Sequence, residues 1–303
     1  MIDFKPITMA DQAPYMEKLL ACDERGCEFS FVNLYLWGRQ KLAFVHDHAL
    51  LFSQFNRRTV YPFPVGSGDK KAAIDAIIED SQKRGIPCRI TGLTDENIHL
   101  LQQLYPDRFR YHCDRDAFDY VYAIEDLADL PGRKYQKKRN HFNRFRNLYP
   151  HYSVEPLTAQ NLPQVQAMAD AWYKAKEAAD PESDYLMERA ALNRAFSHYA
   201  QLGMEALVLK DGEQVLAFTM ASPLTENTLD VHFEKALPGA EEAYPVINCE
   251  FARFIRKKLP HIRYLNREED MGIEGLRKAK ESYYPHHMTE KCWACLLEDG
   301  YDY

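Results

Sequence analysis

Two stretches of this sequence read as one succession of secondary-structure elements, and the repetition limits the folds open to the chain. In the second half, Ser153–Leu157 fits a short strand, and Thr158 is a candidate cap for a helix reaching about Lys176, with Pro163 in its first turns. A helix over Tyr185–Gln201 stops at Gly203. The stretch EALVLKDGEQVLAFTMAS alternates apolar and polar residues about Asp211-Gly212, a hairpin pattern. Thr228–Glu234 is a third strand. Val246–Lys258 is a helix ended by Pro260, and His261–Asn266 is a strand. Gly272–Tyr283 is a helix closed by Pro285, and Met288–Leu297 is the last strand.

The first half gives a similar list. It reads as strand Ile2–Pro6, helix Thr8–Cys22, a helix or turn at Ser30–Trp37, and strands Lys41–Val45, Ala49–Phe55 and Thr59–Phe63. Helix Asp69–Arg84, strand Cys88–Thr91, helix Thr94–Leu104 and a strand region Arg110–Tyr122 follow. What repeats is element order, not residue identity. The pattern predicts an α+β fold with mixed sheets, built as a tandem duplication: one module over 1–125, a basic linker helix over 126–150, and a second module over 151–303.

Composition narrows the class. Lys+Arg 38 against Asp+Glu 45 leaves a net charge of -7, which excludes a globally basic nucleic-acid coat but not a local basic patch. A hydrophobic share of 46% is enough for cores. No apolar run approaches the ~18 residues that cross a bilayer, and MIDFKPITMADQ lacks the pattern of a signal peptide. A soluble, cytoplasmic protein is expected. The seven cysteines are odd in number and irregular in spacing, unlike a secreted disulfide framework. Cys292 and Cys295 form a lone C-x-x-C in a strand, where residues three apart face opposite ways, so ordinary burial is expected there. His46 with His48 is not a ligand set, and Pro285-His286-His287 reads as a loop. No metal site is expected.

Three segments carry residues suited to chemistry. From Leu130 to Val154 there are seven Lys/Arg and no acid. On a helix, Tyr135, Phe142, Phe145 and Tyr149 line one side, and Lys134, Lys137, His141 and Arg144 an adjacent one; Lys138 and Arg139 add to the charge. Such a helix fits a solvated linker, a contact for a polyphosphate such as a tRNA acceptor stem, or a membrane-surface helix. In Thr228–Glu234, simple alternation sends Leu229, Val231 and Phe233 one way and Asp230, His232 and Glu234 the other. That polar stripe faces solvent or lines a wet cleft, where Glu234 or His232 can accept a proton. In NREEDMGIEGLRKAKESYYP, Asn266, Glu268, Glu269 and Asp270 form an acidic cluster that either serves the following helix, with Asp270 as its cap, or holds a cationic aminoacyl group. Gly272 allows close backbone approach, and Arg277 and Lys280 share a helix face suited to a phosphate or carboxylate.

The element order resembles the GNAT acyltransferase fold. The whole chain resembles the C-terminal domain of the phosphatidylglycerol lysyltransferases (DUF2156), a family of two GNAT-like modules in series related to the Fem aminoacyl-tRNA-dependent transferases. The segments that carry the resemblance are GRKYQKKRNHFNRF at 132–145, HFEKA at 232–236, YPVINCEFARF at 244–254 and YLNREEDMGIEGLRKAKESYYP at 264–285. The resemblance implies a donor slot beside strand Thr228–Glu234, where a backbone N–H stabilises an oxyanion. It implies catalysis by Glu234, His232 and Asp230, with Asn248, Asn266, Glu268, Glu269, Asp270 and Gly272 about the substrate. The donor's phosphates would meet Lys134, Lys137, Lys138, Arg139, His141, Arg144, Arg277 and Lys280. The expected donor is aminoacyl-tRNA or an acyl-CoA, the acceptor a small molecule or lipid headgroup, and no bound cofactor is certain.

One departure from ordinary GNAT enzymes bears on the donor. Their pyrophosphate loop exposes bare glycine amides, whereas EKALPGAEEAYPVIN has one glycine, Gly239, and two adjacent acids, Glu241 and Glu242. Carboxylates beside a pyrophosphate are unfavourable, which disfavours acetyl-CoA. CoA-dependent transfer to a small metabolite, or a non-catalytic ligand-binding role on the same scaffold, are the competing readings. Neutralising Lys137, Lys138 and Arg144 together is expected to weaken binding to charged tRNA and to flatten its salt dependence, measured by filter binding across a salt titration. An unchanged affinity at every salt concentration would refute the polyanion role.

Overall fold

Side-chain caps start three helices of the first unit in the computed structural model, which describes residues 1–55, 58–180 and 185–297. The chain divides into two compact units. The first takes Met1–Tyr120, Glu268–Lys278 and the chain from His287 onward. Its leading strands are β1 (Lys5–Pro6), β2 (Gln40–Val45), β3 (His48–Phe55), β4 (Arg58–Pro62), β5 (Arg89–Leu93) and β6 (Phe109–Cys113). Its helices are α1 (Gln12–Leu20), α2 (Phe31–Trp37), α3 (Lys70–Arg84) and α4 (Asp95–Leu104). Ser30, Asp69 and Thr94 each accept a backbone N–H three residues on, starting α2, α3 and α4. Gly85, with φ 66°, ends α3 in the left-handed conformation that glycine adopts freely.

The second unit takes Val121–Arg267 and Ala279–His286. In chain order its elements are β7 (Asp119–Ala123), α5 (Ile124–Asp129), α6 (Gln136–Leu148), β8 (Tyr152–Pro156), α7 (Leu162–Ala179) and α8 (Leu186–His198). Next come β9 (Glu205–Asp211), β10 (Gln214–Thr225), β11 (Thr228–Ala236), α9 (Ala243–Lys258) and β12 (Tyr264–Asn266), followed by α10 (Glu274–Glu281), whose residues up to Lys278 belong to the first unit. The chain closes with β13 (His287–Thr289) and β14 (Cys292–Leu296). The cap expected at Thr158 is a reciprocal pair: Thr158 N donates to Asn161 Oδ1 at 2.8 Å, Asn161 N donates to Thr158 Oγ1 at 3.4 Å, and α7 starts one residue after Asn161.

The first sheet runs β1-β2-β3-β4-β5-β14-β6, and within the second unit the other runs β7-β12-β11-β10-β9-β8. Each has one parallel pair, β4 with β5 and β11 with β12, and is otherwise antiparallel. The element repeat seen in the sequence is therefore a repeat of sheet topology. The membership of the units differs from division in chain order. The last strand, β14, lies between β5 and β6 of the first sheet, and the end of the first half, β7, pairs with β12 of the second. Sequence adjacency carries no signal for such an exchange, because strand pairing is decided by long-range burial.

That register corrects one expectation about cysteine. Cys292 stands opposite Cys113 on β6, with Cα atoms 4.3 Å apart, and the two form a disulfide. Cys295 is buried as a free thiol. Partners separated by 179 residues cannot be matched by local spacing.

Polar burial in the first unit makes its stability depend on pH. Glu24 is buried; Asn97 Nδ2 donates to its carboxylate at 3.0 Å, and Lys70 Nζ lies 3.7 Å away. Burial pushes the carboxyl up to about 7, against the pull of Lys70 and Asn97. The folded state thus keeps a proton that the unfolded chain releases at lower pH. Stability is complete below the ordinary carboxylate range and is lost as pH rises through about 7. Glu24→Gln keeps an acceptor for Asn97 and cannot ionise. Urea unfolding between roughly pH 5 and 8 is expected to show wild type losing about 2–3 kcal/mol more than the variant. Parallel pH profiles for the two proteins would contradict this.

Candidate active site

The chemistry-bearing side chains of the second unit gather where two parallel strands part. β11 pairs with β12 only through Thr228–Tyr264, Leu229–Leu265 and Asp230–Asn266. β12 ends there, while β11 continues to Ala236, and among the described residues no other strand pairs with that edge. On its other edge β11 carries a bulge. Phe233 stands opposite Met220 and Val231 opposite Ala221, leaving His232 as an extra residue. Opposed residues share a face, and Met220 and Ala221 are neighbours that face opposite ways. Val231 and Phe233 therefore lie on opposite faces, and so do Asp230 and Glu234. The expected polar stripe of Asp230, His232 and Glu234 is thus split, because one inserted residue reverses the parity of everything beyond it.

The two halves of the stripe have different surroundings. Asp230 is fully buried, with its Oδ2 3.6 Å from His232 Nδ1, and His232 Nε2 lies 2.8 Å from Ser222 Oγ. Glu234 turns to α9: Asn248 Nδ2 donates to its Oε2 at 3.4 Å. Arg267, the residue after β12, reaches across the parting and donates from Nη2 to Glu234 Oε1 at 2.7 Å. The guanidinium is flanked by the rings of Tyr283, 5.2 Å away, and Tyr122, 5.6 Å away. Lys138, in the first turn of α6, places Nζ 3.6 Å from the Tyr283 ring centroid. Burial, then the nearby Arg267 charge, pushes that ammonium down to about 8, with Glu234 pulling the other way. Tyr135 Oη donates to the Tyr283 carbonyl at 2.8 Å, which ties the start of α6 to the residue on which Lys138 rests.

Two atoms in this cluster are left over. Arg267 Nη1 and Asn248 Oδ1 are buried without a hydrogen-bond partner among the described residues. The carboxylate of Glu234 only accepts, so it fixes the Asn248 amide with nitrogen toward Glu234 and oxygen outward. A buried donor and a buried acceptor, both on groups that hold one carboxylate, form a site for a ligand with complementary polar atoms.

The remaining predicted residues divide between the units. In the second unit, Lys137, His141 and Arg144 are exposed on α6, Arg144 lying 3.3 Å from Glu242, and Lys134 lies 3.4 Å from Asp126. Arg139 donates to the carbonyls of Leu130 and Gly132 and so fastens the turn before α6. Lys280 is buried and donates from Nζ to the Arg267 carbonyl, which positions Arg267. Asn266 is buried beside Asp230 in the strand register.

Glu268, Glu269, Asp270, Gly272 and Arg277 belong to the first unit. Glu268 accepts from Asn33 Nδ2 at 2.9 Å, and Glu269 from Lys291 Nζ at 3.0 Å. Asp270 accepts from Arg277 Nε at 2.8 Å, from Gly272 N at 2.9 Å and from Tyr120; Arg277 also donates to Asp116 at 2.6 Å. Asp270 is thus the centre of an ion network rather than the cap of α10, which begins at Glu274. A Cβ at position 272 would lie 2.5 Å from Asp116 Oδ2, so the expected close approach at Gly272 is to the protein's own carboxylate. Cys27, Asp119 and Glu269 converge in the same unit, but the ammonium of Lys291 occupies the cation's place, 2.7 Å from Asp119. Arg267 and Tyr283 were passed over in the sequence. The available signal was an arginine immediately after a buried strand, which needs a counter-charge.

The profile of the family described as phosphatidylglycerol lysyltransferase, C-terminal, matches residues 21–295. The chain belongs to this family. A conserved protein of unknown function from Bacteroides thetaiotaomicron is similar at 38% identity and TM-score 0.92, covering 98% of this chain and 100% of its own. The fold is shared with L-PGS from Bacillus licheniformis (TM-score 0.69, 16% identity, 98% and 94% covered) and with FemX (TM-score 0.59, 11% identity, 99% and 98% covered). The two mixed sheets and the fold shared with FemX bear out the α+β class expected from the element order. No protein of curated function matches the sequence. No helix among the described residues is long and apolar enough to cross a membrane.

Because Arg267 is largely buried against Glu234, removing one partner strands the other. Glu234→Gln is expected to lower unfolding free energy by about 3 kcal/mol in urea titrations. A loss below about 0.5 kcal/mol would show the pair to be solvated like a surface bridge.

Proposed function

We propose that the second unit is an acyltransferase that moves an aminoacyl group from an aminoacyl-tRNA to an amine or hydroxyl acceptor. The observation that carries this reading is the parted edge of β11 and β12, where Glu234, Arg267 and Asn248 leave one buried donor and one buried acceptor unsatisfied. An aminoacyl ester supplies both complements. Its carbonyl oxygen accepts from Arg267 Nη1, and its ammonium donates to Asn248 Oδ1 beside the Glu234 carboxylate. As the acceptor attacks, negative charge builds on that oxygen, where a buried guanidinium stabilises it more than it stabilised the ester.

Two features favour tRNA over CoA. Just ahead of α9 the Gly239 amide already donates to the chain's own Glu241 Oε1 at 3.1 Å, which leaves it unavailable to a donor pyrophosphate. A second carboxylate, Glu242, sits beside it and pairs with Arg144. Meanwhile α6 presents Lys137, His141, Arg144 and Arg146 to solvent, a surface suited to a long polyanion. The family's lysyltransferase description supports the same donor class.

The test is a transfer assay with a total pool of tRNA charged with labelled amino acids, offered small amines, hydroxyl compounds and lipid vesicles. Label is expected to leave tRNA and appear on one acceptor class. In Asn248→Leu the donor loses its ammonium acceptor, and KM for charged tRNA is expected to rise about ten- to a hundredfold. No transfer with any charged tRNA, together with a thermal shift on acetyl-CoA, would replace this reading by the CoA-dependent one.

A further inference from the structure

The proposed reaction needs a group to take the acceptor's proton, and the residues beside the parted strands narrow the choice. Both oxygens of Glu234 serve Arg267 and Asn248. His232 has its ring enclosed, within reach of Ser222 on one nitrogen and Asp230 near the other. Lys138 differs from both. Its ammonium is half-buried over the Tyr283 ring, and among the described residues it makes no hydrogen bond or ion pair. The charged and titratable groups around it are Arg267 after β12, Glu234 on β11 and Tyr283 after α10, with Cys249 of α9 facing Tyr283. Arg267, whose guanidinium also lies against the Tyr283 ring, repels a second cation. A π-face without a carboxylate holds an amine in place without fixing its proton.

We propose that Lys138 is the catalytic base of the acyl transfer, and not one more contact for the donor's phosphates. This rests on the acyltransferase reading above. In the step, the neutral amine of Lys138 removes the N–H or O–H proton as the acceptor's nitrogen or oxygen bonds to the ester carbonyl carbon. The carbonyl–O3′ or carbonyl–O2′ ester bond then breaks, and the lysine ammonium returns the proton to the leaving ribose oxygen. Lys138 ends neutral, and no other reactant is consumed. Lys137, one residue away and exposed on the helix, keeps the electrostatic role.

Lys138→Arg separates the two roles, because arginine keeps the charge and cannot give up its proton. On the whole protein, the NMR titration of reductively 13C-methylated lysines, assigned with Lys138→Arg, is expected to show the Lys138 resonance titrating near 8. Wild-type turnover of charged tRNA is expected to rise with pH and level off above about 8. Lys138→Arg is expected to lower kcat by at least about a hundredfold with donor KM within about threefold, and added ethylamine to restore part of the turnover of Lys138→Ala. A Lys138 resonance near ~10, or a Lys138→Arg enzyme turning over like wild type, overturns the assignment. A wild-type protein that transfers from no charged tRNA sinks the acyltransferase reading and this proposal with it. Loss confined to the variants would leave that reading intact.

Discussion

One ion pair governs the second unit's site: the guanidinium of Arg267 on the carboxylate of Glu234, spanning the place where β12 has ended and β11 continues. Strands that separate leave an edge with unpaired backbone groups, and the usual outcome is to fill the space with apolar side chains. Here the space receives a cation from the end of one strand and an anion from the other. Neither can be replaced alone, because each would leave an uncompensated charge in a poorly solvated place. The pair thus keeps the parting polar, and supports around it follow from the same need. Lys280 donates to the Arg267 carbonyl, Asn248 donates to the second Glu234 oxygen, and the rings of Tyr122 and Tyr283 flank the guanidinium.

The bulge at His232 decides which face of the sheet receives that carboxylate. Glu234 meets Asn248 on α9, while the next residue, Lys235, lies on the opposite face against α7, with Nζ 3.6 Å from the Trp172 ring centroid and 2.7 Å from Glu188 on α8. Lys235 is fastened by an acid and an aromatic ring, so this stretch of β11 is pinned from both sides. On the other side of the bulge, His232 Nε2 lies 2.8 Å from Ser222 Oγ, and Asp230 Oδ2 lies 3.6 Å from His232 Nδ1. A strand with polar residues on both faces is costly unless each is paired. In β11, His232, Glu234 and Lys235 each meet a named partner: Ser222, Arg267 and Glu188.

Much of the architecture was legible because it rests on local rules. The helices expected over Asp69–Arg84 and Thr94–Leu104 and the hairpin turn at Asp211-Gly212 all rest on signals within a few residues. The repeat of element order was legible for the same reason. The membership of β7 and β14 was not, since it is settled by pairing partners far along the chain, as was the Cys113–Cys292 disulfide. In the candidate site, Glu234, Asn248 and Lys138 were singled out by residue type and segment, Lys138 as a phosphate contact. The split of the Asp230–Glu234 stripe was hidden, because one extra residue in a strand leaves no mark in composition or periodicity. Arg267 was hidden among acids that turned out to serve the first unit's own ion network around Asp270 and Lys291.

On the proposed reading, the basic helix would reconcile binding a polyanion with chemistry that needs an uncharged amine. Successive residues of an α-helix point about 100° apart. On α6 that step sends Lys137 to solvent and turns Lys138 inward over Tyr283. Exposed cations stay protonated and attract phosphates from a distance, screened only by salt. A half-buried cation beside Arg267 loses solvation and gains a repulsive neighbour, and both effects favour its neutral form. The same residue type thereby acquires two properties from one helix, with no further group required. On the same reading, with donor charge met on α6, the two acids ahead of α9 do no harm, and Glu241 is left to hold the Gly239 amide.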